Sequence, residues 1–359
     1  MIEIFKNNLE NYTFIDLFAG IGGFRIALES LGAECVYSSE WDKFAQKVYY
    51  ENFGELPDGD ITKVNEYDIP DHDILCAGFP CQAFSISGNQ RGFEDSRGTL
   101  FFDVARIIKA KKPKVVFMEN VRNFARHDKG RTLEVVKGTM EELGYRFNAE
   151  VLNSADYGIP QQRQRIYMVC FRKDLGIESF IFPKGFKLEK HLEDFLLPDE
   201  EVKDLIIERN DIVFKKNVQD EYSNKPIRVA TVGKGGQGER IYSPKGVAIT
   251  LSANGGGVFA KTGGYLINGR TRRLHVRECA RIMGFPEKFK ICENKNQAYK
   301  QFGNSVVVDI IQLIAKNISE YLKEKGEPLQ KKELEDLFNN KGYYQLDMEE
   351  LLILNSSNE

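Results

Sequence analysis

The run TFIDLFAGIGGF, from Thr13 to Phe24, places three glycines within four positions directly after an apolar stretch. The β-branched and aromatic residues up to Leu17 are typical of a buried strand. The glycines permit a tight turn whose backbone can approach a ligand closely, and the residues after them predict a helix. A strand, a glycine turn and a helix in this order form a nucleotide-binding unit.

Five further β-rich runs follow this motif up to about residue 170, and amphipathic stretches separate several of them. They are ECVYSS, HDILCAGF, KPKVVFMEN, YRFNAEVL and RIYMVCF. Strands that alternate with helices are typical of βαβ units. The sequence therefore predicts an α/β fold with a doubly wound, mainly parallel, Rossmann-like sheet.

The composition excludes several classes of protein. The chain has 359 residues, 42% hydrophobic and 29% charged, enough for one large or two ordinary domains. No apolar stretch approaches the ~20 residues of a membrane span, and Glu3 and Glu10 lie where a secretory signal would be basic and then apolar. The six cysteines form no CxxC pair and the four histidines are scattered. We expect a cytoplasmic protein with no metal and no membrane partner.

Positive charge is concentrated in one part of the sequence. Between Lys225 and Lys290 there are thirteen Lys and Arg residues and three acids, although the whole chain has a net charge of −3. Ten of the 31 glycines fall between Gly233 and Gly264. Such a block is typical of loops that approach an anionic partner such as a nucleic-acid backbone, but a solvated basic face has the same composition.

Changes in composition predict four segments. The α/β domain extends over residues 1–190, and a smaller, glycine-rich domain over 191–285 begins with an acidic connector. A return segment over 286–325 contains an amphipathic helix, from about Val306 to Lys323, that completes the first domain. An acidic extension over 326–359 has no assigned role.

The residues around the glycine turn favour a particular cofactor. A dinucleotide fingerprint requires a third glycine where Arg25 stands, which weakens an NAD interpretation. Glu40 and Trp41 follow the second strand, where a carboxylate can bind ribose hydroxyls and an indole can lie beside adenine. Asp60-Ile61 stands where a third strand should end. The turn itself carries no basic residue, which suits a cofactor without phosphate such as S-adenosylmethionine. Taken singly, Trp41 could be a core residue and Glu40 a surface residue.

The candidate reacting groups follow later strands. Cys81 comes after Phe79-Pro80 at the carboxyl end of a strand, whereas Cys76, like Cys35 and Cys170, is expected in the core. The next strand ends in Glu119. The run QQRQR alternates so that Arg163 and Arg165 share one face and point the same way.

A thiol, a carboxyl group and two guanidinium groups beside a methyl donor suit methylation of cytosine at carbon 5. This carbon is a poor nucleophile until a thiolate, here Cys81, adds at carbon 6. A protonated Glu119 can relieve charge at ring nitrogen 3, and Arg165 can bind the ring carbonyl. The structural alternative makes Glu119 a strand-end salt-bridge partner and the arginines a surface pair.

Five motifs now stand in order: FIDLFAGIGGF, GFPCQ, ENV, QQRQR and QFGNSV. With them, the chain to about residue 325 resembles the DNA (cytosine-5) methyltransferases. The resemblance implies Cys81 as nucleophile, Glu119 as its acid partner, and Arg163 and Arg165 at the base. It makes 1–190 the catalytic domain and 191–285 the target-recognition domain. The residues that the motifs place around S-adenosylmethionine are Phe18, Gly20, Gly22, Gly23, Glu40, Trp41, Asp60, Ile61, Pro80, Leu100, Asn304 and Ser305.

Chemistry at carbon 5 requires a cytosine that is flipped out of the duplex. Gln237 and Ser87 are candidates to fill the vacated space. We expect Arg240 to contact a guanine, and Lys234 and Lys261 to contact phosphates. Further phosphate contacts are expected from Arg270, Arg272 and Arg273. The runs VGKGGQGERIYS and KTGGYL resemble family members that modify the inner cytosine of GCGC.

The resemblance also implies a monomer that acts on double-stranded DNA and is paired with a restriction endonuclease of the same specificity. The alternatives are an RNA cytosine-5 methyltransferase, a DNA-binding regulator with a silent catalytic site, and an NAD enzyme with a reactive cysteine. The glycine-rich basic domain favours duplex DNA over RNA, and the presence of both Cys81 and Glu119 favours an enzyme over a regulator.

Overall fold

The computed structural model of the chain describes residues 8–80 and 100–323, which divide into two compact units. The first takes its described residues from Met1–Leu152, Arg165–Lys184 and Ile311–Gly342, and the second from Asn153–Gln164 and Gly185–Ile310. The chain re-enters the first unit at Ile311, later than residue 286, where the predicted return segment starts. The assignment of catalytic and DNA-reading roles to these parts stays a prediction.

Six strands form one sheet in the first unit. Strands are numbered in chain order, and β6 belongs to the second unit. They are β1 (Thr13–Leu17), β2 (Glu34–Ser39), β3 (Ile74–Ala77), β4 (Val115–Val121), β5 (Tyr145–Asn153) and β7 (Gln164–Arg172). Their order in the sheet is β2-β1-β3-β4-β7-β5. The pairs β1–β2, β1–β3 and β3–β4 are parallel, and β7 runs antiparallel to β4. The predicted α/β fold with a mainly parallel sheet is confirmed.

The α-helices begin and end with recognisable signals. They are α1 (Gly23–Glu29), α2 (Lys43–Phe53), α3 (Leu100–Lys111), α4 (Arg131–Glu142), α5 (Val276–Arg281), α6 (Lys295–Asn304) and α7 (Val308–Lys323). Asp42 caps α2 by accepting from the Phe44 amide at 2.9 Å. Along α7, Ile310, Ile314 and Ile318 recur every four residues and are at most 1% exposed, so the predicted amphipathic helix is confirmed.

The second unit contains a five-stranded sheet and a two-stranded one. The larger has the order β13-β12-β10-β9-β8, built from β8 (Val213–Phe214), β9 (Ile227–Thr231), β10 (Arg240–Ser243), β12 (Gly264–Ile267) and β13 (Arg270–Arg272). The smaller pairs β6 (Gln161–Gln162) with β11 (Ala248–Ile249) in parallel. A separate apolar cluster includes Ala230 of β9 and Ile241 of β10.

The two glycine clusters of the second unit pack on each other. A Cβ on Gly238 would lie 1.9 Å from the carbonyl oxygen of Gly256, and one on Gly257 would lie 2.7 Å from that of Gly238. The Phe259 amide donates to the Gly238 carbonyl at 2.9 Å. These glycines are therefore required for contact between the two loops themselves.

The strand expected to end at Asp60 does not form. Asp60 instead caps the 3-10 helix Ile61–Lys63, and its Oδ1 accepts from the Thr62 amide at 3.1 Å. The preceding run contains Pro57 and two glycines, which disfavour a strand. A single bridge between Asp58 and Ser39 joins this run to the end of β2.

Asp16, in β1, carries a carboxyl group that is buried in the core. Its side chain is fully buried, and burial raises the pKa of this group to about 8 even though Arg25 favours the charged form. Within the described residues neither carboxyl oxygen accepts a full hydrogen bond, although the Arg25 amide lies near enough to favour ionisation. Burial therefore makes Asp16 hold its proton to a much higher pH than an exposed aspartate does.

Asp16→Asn should change how stability depends on pH. The unfolded chain releases the Asp16 proton near pH 3.8, whereas the folded protein keeps it up to about pH 8, so wild-type stability falls as pH rises between these values. Between pH ~5 and ~8, we expect the free energy of unfolding to fall for the wild type and to fall less for Asp16→Asn. The two decreases should differ by at most about 4 kcal/mol. Urea unfolding at both pH values measures this difference, and parallel pH dependences would contradict it.

Candidate active site

The glycine turn after β1 is held in shape by Glu40. Glu40 Oε2 accepts from the Gly20 amide at 2.8 Å, and its Oε1 accepts from the Asp42 amide at 2.7 Å. Phe18 adopts a φ of +57°, a left-handed conformation that is uncommon outside glycine and that is found at functional turns. Gly22 precedes α1 with a φ of +85°. The turn is therefore fixed to the end of the neighbouring strand β2.

The predicted cofactor residues of the first unit follow its parallel strands. Because β2, β1 and β3 are adjacent and parallel, their carboxyl ends lie at one edge of the sheet. Trp41, directly after Glu40, is 76% exposed, which rules out the core interpretation of this residue. Ile61 is buried, Pro80 follows β3, and Leu100 begins α3. The predicted set in this unit is Phe18, Gly20, Gly22, Gly23, Glu40, Trp41, Asp60, Ile61, Pro80 and Leu100.

Glu119 and Arg165 form an ion pair across β4 and β7. The register places Glu119 opposite Tyr167 and Val121 opposite Arg165, so the two charged residues are diagonal neighbours on one face. Arg165 Nε lies 3.1 Å from Glu119 Oε1, and both side chains are largely buried. Burial of both partners distinguishes this contact from a surface salt bridge.

Asn120 connects the end of β4 to the chain that leads into Cys81. Its Nδ2 donates to the Phe79 carbonyl at 2.8 Å, and the side chain is buried. Cys81 and Ser87 themselves lie outside the described residues. Asn120 was not among the predicted site residues, although it stands in the ENV motif.

Other thiols of the first unit are unsuited to nucleophilic chemistry. Cys76, Cys35 and Cys170 are buried free cysteines, as expected of core residues. Burial raises the pKa of Cys35 to about 12 and that of Cys76 well above its usual value. These groups therefore remain protonated thiols at neutral pH.

Arg163 belongs to the second unit and has different partners from Arg165. Its side chain is 1% exposed, and its Nη1 donates to the Leu251 carbonyl at 3.1 Å. Its Nη2 donates to the carbonyls of Gly303 at 3.0 Å and Ser305 at 2.6 Å. These bonds engage both Nη atoms of the arginine that the sequence prediction placed at the base. Alternation along QQRQR could not reveal them, because the carbonyls belong to distant parts of the chain.

Gln161 is a buried residue that the sequence pattern did not single out. Its Oε1 accepts from the Leu251 amide at 3.2 Å, and its Nε2 donates to the Ile282 carbonyl at 3.0 Å. It stands two residues before Arg163 in the same alternating run, which was the available signal. Gln161 and Arg163 thus bind the amide and the carbonyl of the same residue.

Three of the predicted DNA contacts are accessible within the second unit. Lys234 and Gln237 are exposed, and Arg240 is half-buried with its Nε 3.4 Å from the Gly235 carbonyl. Lys261 adopts a φ of +74° and donates through Nζ to the Asn296 carbonyl at 3.2 Å. Asn304 ends α6, and Ser305 follows it.

The expected phosphate contact of Arg272 is wrong. Arg272 is 2% exposed, and its two Nη groups donate to the two carboxyl oxygens of Glu278 at 2.8 and 2.7 Å. A bidentate buried pair of this kind holds β13 to α5. Arg273 lies half-buried with its guanidinium 5.8 Å from the Tyr299 ring centroid, whereas Arg270 is exposed.

The described residues contain no group of His, Cys, Asp and Glu side chains that could hold a metal ion. Among the described helices, none has the length and apolar character needed to cross a membrane.

Comparisons with known proteins show the family of the chain. Residues 12–320 match the family described as C-5 cytosine-specific DNA methylase. The Type II methyltransferase M.HhaI of Haemophilus parahaemolyticus is 66% identical over 325 residues, which are 90% of this chain and 99% of the relative. M.SsoII of Shigella sonnei is 44% identical over 320 residues, 87% of this chain and 81% of the relative.

A solved structure supports the fold. The S. pombe Dnmt2 methyltransferase superposes with a TM-score of 0.66 at 20% identity, covering 87% of this chain and 99% of the other. The chain belongs to the C-5 cytosine-specific DNA methylase family, and its activity is that of a DNA (cytosine-5) methyltransferase.

Proposed function

We propose that the protein transfers a methyl group from S-adenosylmethionine to the inner cytosine of GCGC in duplex DNA, through covalent addition of Cys81 to the flipped-out base. The Glu119–Arg165 pair is the observation that carries this proposal. It lies on β4 and β7, and β4 neighbours β3, the strand that leads into Pro80 and Cys81. A thiol carried by that segment would therefore be near a carboxyl group that is already oriented by a guanidinium.

The residues after β1 and β2 fit S-adenosylmethionine. Trp41 presents an exposed ring for the adenine face, and Asp60 remains partly exposed for the adenine edge. Glu40 has two bound amides but retains further lone pairs for ribose hydroxyls. No basic side chain follows Gly20 before α1, which suits a donor without phosphate. In the second unit, the family motifs add Asn304 and Ser305 to this set.

The proposed mechanism divides the work among three side chains. The Cys81 thiolate bonds to carbon 6, and the electrons of the 5,6 double bond make carbon 5 nucleophilic. Glu119 takes up a proton from solvent before the addition, donates it to nitrogen 3 and accepts from the exocyclic amine, while Arg165 orients Glu119 and binds the ring carbonyl. S-adenosylmethionine supplies the methyl group to carbon 5. A base then removes the carbon 5 proton, the double bond re-forms, Cys81 leaves as a thiolate, and Glu119 recovers its proton.

The biological setting follows from the similarity to Type II enzymes. We infer that the protein is the methylase of a restriction-modification system and protects DNA from an endonuclease with the same recognition sequence. We expect it to act as a cytoplasmic monomer, because one chain carries both the reacting groups and the basic recognition loops.

Cys81→Ser should abolish methylation of a GCGC duplex and leave binding of donor and DNA largely unchanged, because only covalent addition is lost. A GCGC duplex with 5-fluorocytosine at the target should trap the wild type in a denaturant-stable adduct, since fluorine cannot leave as a proton. Bisulfite sequencing reads the methylation, and denaturing gels detect the adduct. Near-normal methylation by Cys81→Ser would disprove the covalent route, and an inactive wild type would favour the silent-regulator alternative.

Trp41→Ala should weaken binding of S-adenosylmethionine by about 1 to 3 kcal/mol through the loss of stacking on adenine. Binding of duplex DNA without the donor should remain as in the wild type. Tyr67→Ala is a matched control, because Tyr67 is a similarly exposed aromatic residue of the first unit at 73% exposure. Calorimetry measures both affinities, and equal effects of the two substitutions would remove Trp41 from the proposed site.

Arg240→Ala and Lys261→Ala should weaken DNA binding with different dependences on sequence and on salt concentration. If Arg240 reads a guanine, its loss costs about 1 to 3 kcal/mol on the preferred site and reduces discrimination against a substituted base there. If Lys261 contacts a phosphate, its loss weakens binding to all duplexes alike and lowers the salt slope by about one unit. Titrations of matched and substituted duplexes across salt concentrations test this. A uniform loss for Arg240→Ala would make it a backbone contact.

A further inference from the structure

Two segments of the second unit that are distant in sequence meet at the Arg163 guanidinium. These are the loop at Leu251 and the end of α6, which contributes the carbonyls of Gly303 and Ser305. These three hydrogen bonds go to backbone carbonyls, and Arg163 is 1% exposed. A charged donor that binds neutral carbonyls fixes the positions of the backbones that carry them.

Leu251 is held on both sides of its peptide. Its amide donates to Gln161 at 3.2 Å, and its carbonyl accepts from Arg163 at 3.1 Å. Leu251 lies at the start of the glycine-rich loop that ends in Phe259 and packs on Gly238. The anchored residue therefore belongs to the same loop system as the predicted DNA contacts Gln237 and Lys261.

Gly303 brings α6 against this loop without any intervening side chain. A Cβ at this position would lie 2.3 Å from the Ala253 amide nitrogen and 2.4 Å from the Ser252 carbonyl carbon. The absence of a side chain allows Arg163 to bind Leu251 and Ser305 at the same time. The loop and the end of α6 are thus joined by backbone packing and by one guanidinium.

We propose that Arg163 is a positioning residue that couples recognition of DNA to binding of the methyl donor. It acts through the Leu251 and Ser305 backbones and does not contact the cytosine. The inference rests on the proposed function, because it takes Asn304 and Ser305 as donor contacts. When the recognition loops are ordered by the duplex, Arg163 transmits that order to the Gly303–Ser305 backbone, so each ligand strengthens binding of the other.

The test compares the buried Arg163 with the half-buried Arg277, which also binds backbone carbonyls. Arg163→Met removes the proposed coupling residue. Arg277→Met is the control, because Arg277 donates to the Pro286 and Phe289 carbonyls at 3.2 and 2.8 Å, and these carbonyls belong to neither of the two segments. The probe is S-adenosylhomocysteine, which binds without reacting, in the presence and absence of the duplex that the wild type methylates. The measured quantity is the ratio of the two dissociation constants.

We expect the duplex to tighten binding of the probe at least about fivefold in the wild type and in Arg277→Met, and by a factor near one in Arg163→Met. Arg163→Lys keeps a buried cation with fewer donors and should give an intermediate ratio. A wild-type ratio of one, an unchanged ratio in Arg163→Met, or an equal loss in Arg277→Met would overturn the inference. A wild type that binds no probe at all would instead disprove the proposed donor.

A second measurement needs no variant. Hydrogen exchange of the wild-type protein should slow in the peptide that contains Leu251 when S-adenosylhomocysteine alone is added, and in the peptide that contains Ser305 when the duplex alone is added. An effect confined to the segment that contacts the added ligand would overturn the coupling.

Discussion

The hydrogen-bond register between β4 and β7 is the constraint on which the proposed active site depends. Because Glu119 lies opposite Tyr167 and Arg165 opposite Val121, the carboxyl group and the guanidinium occupy one face. A slip of one residue would move one of the two charged side chains to the other face of the sheet and leave two largely buried charges without each other. The apolar residues of both strands, among them Met118 and Met168, stabilise the register because they are fully buried.

The first unit could be predicted from the sequence in unusual detail because its signals are local. Alternation and apolar runs mark every strand of the six-stranded sheet, and the carboxyl ends of parallel strands meet whatever the loops do. This rule accounts for Glu119 at the end of β4, whereas Arg165 is predicted by the family motifs, because β7 runs antiparallel to β4. The strand expected to end at Asp60 does not form, because the residues before Asp60 favour turns. Asp60 instead caps a 3-10 helix.

The second unit was less predictable because its important contacts join residues that are far apart in sequence. The composition indicates that the backbone at these glycines can approach another molecule closely. In the structure, however, Gly238 packs against another glycine loop of the same unit. Charge alone made Arg272 a candidate for phosphate, and only its distance to Glu278 shows that its charge is already compensated. Positive charge in a sequence therefore overstates the cationic surface that a partner meets.

The alternation of the chain between the two units has a consequence for folding during synthesis. The chain leaves the first unit after Leu152, returns at Arg165, leaves again after Lys184 and returns at Ile311. Strand β7, which lies between β4 and β5, is thus made after a segment of the other unit, and α7 is made after nearly all of it. Until α7 emerges from the ribosome, the apolar surface that Ile314 and Ile318 cover remains exposed to water. The first unit therefore completes its core late in translation, and a nascent chain that stalls before α7 would present an apolar surface to chaperones.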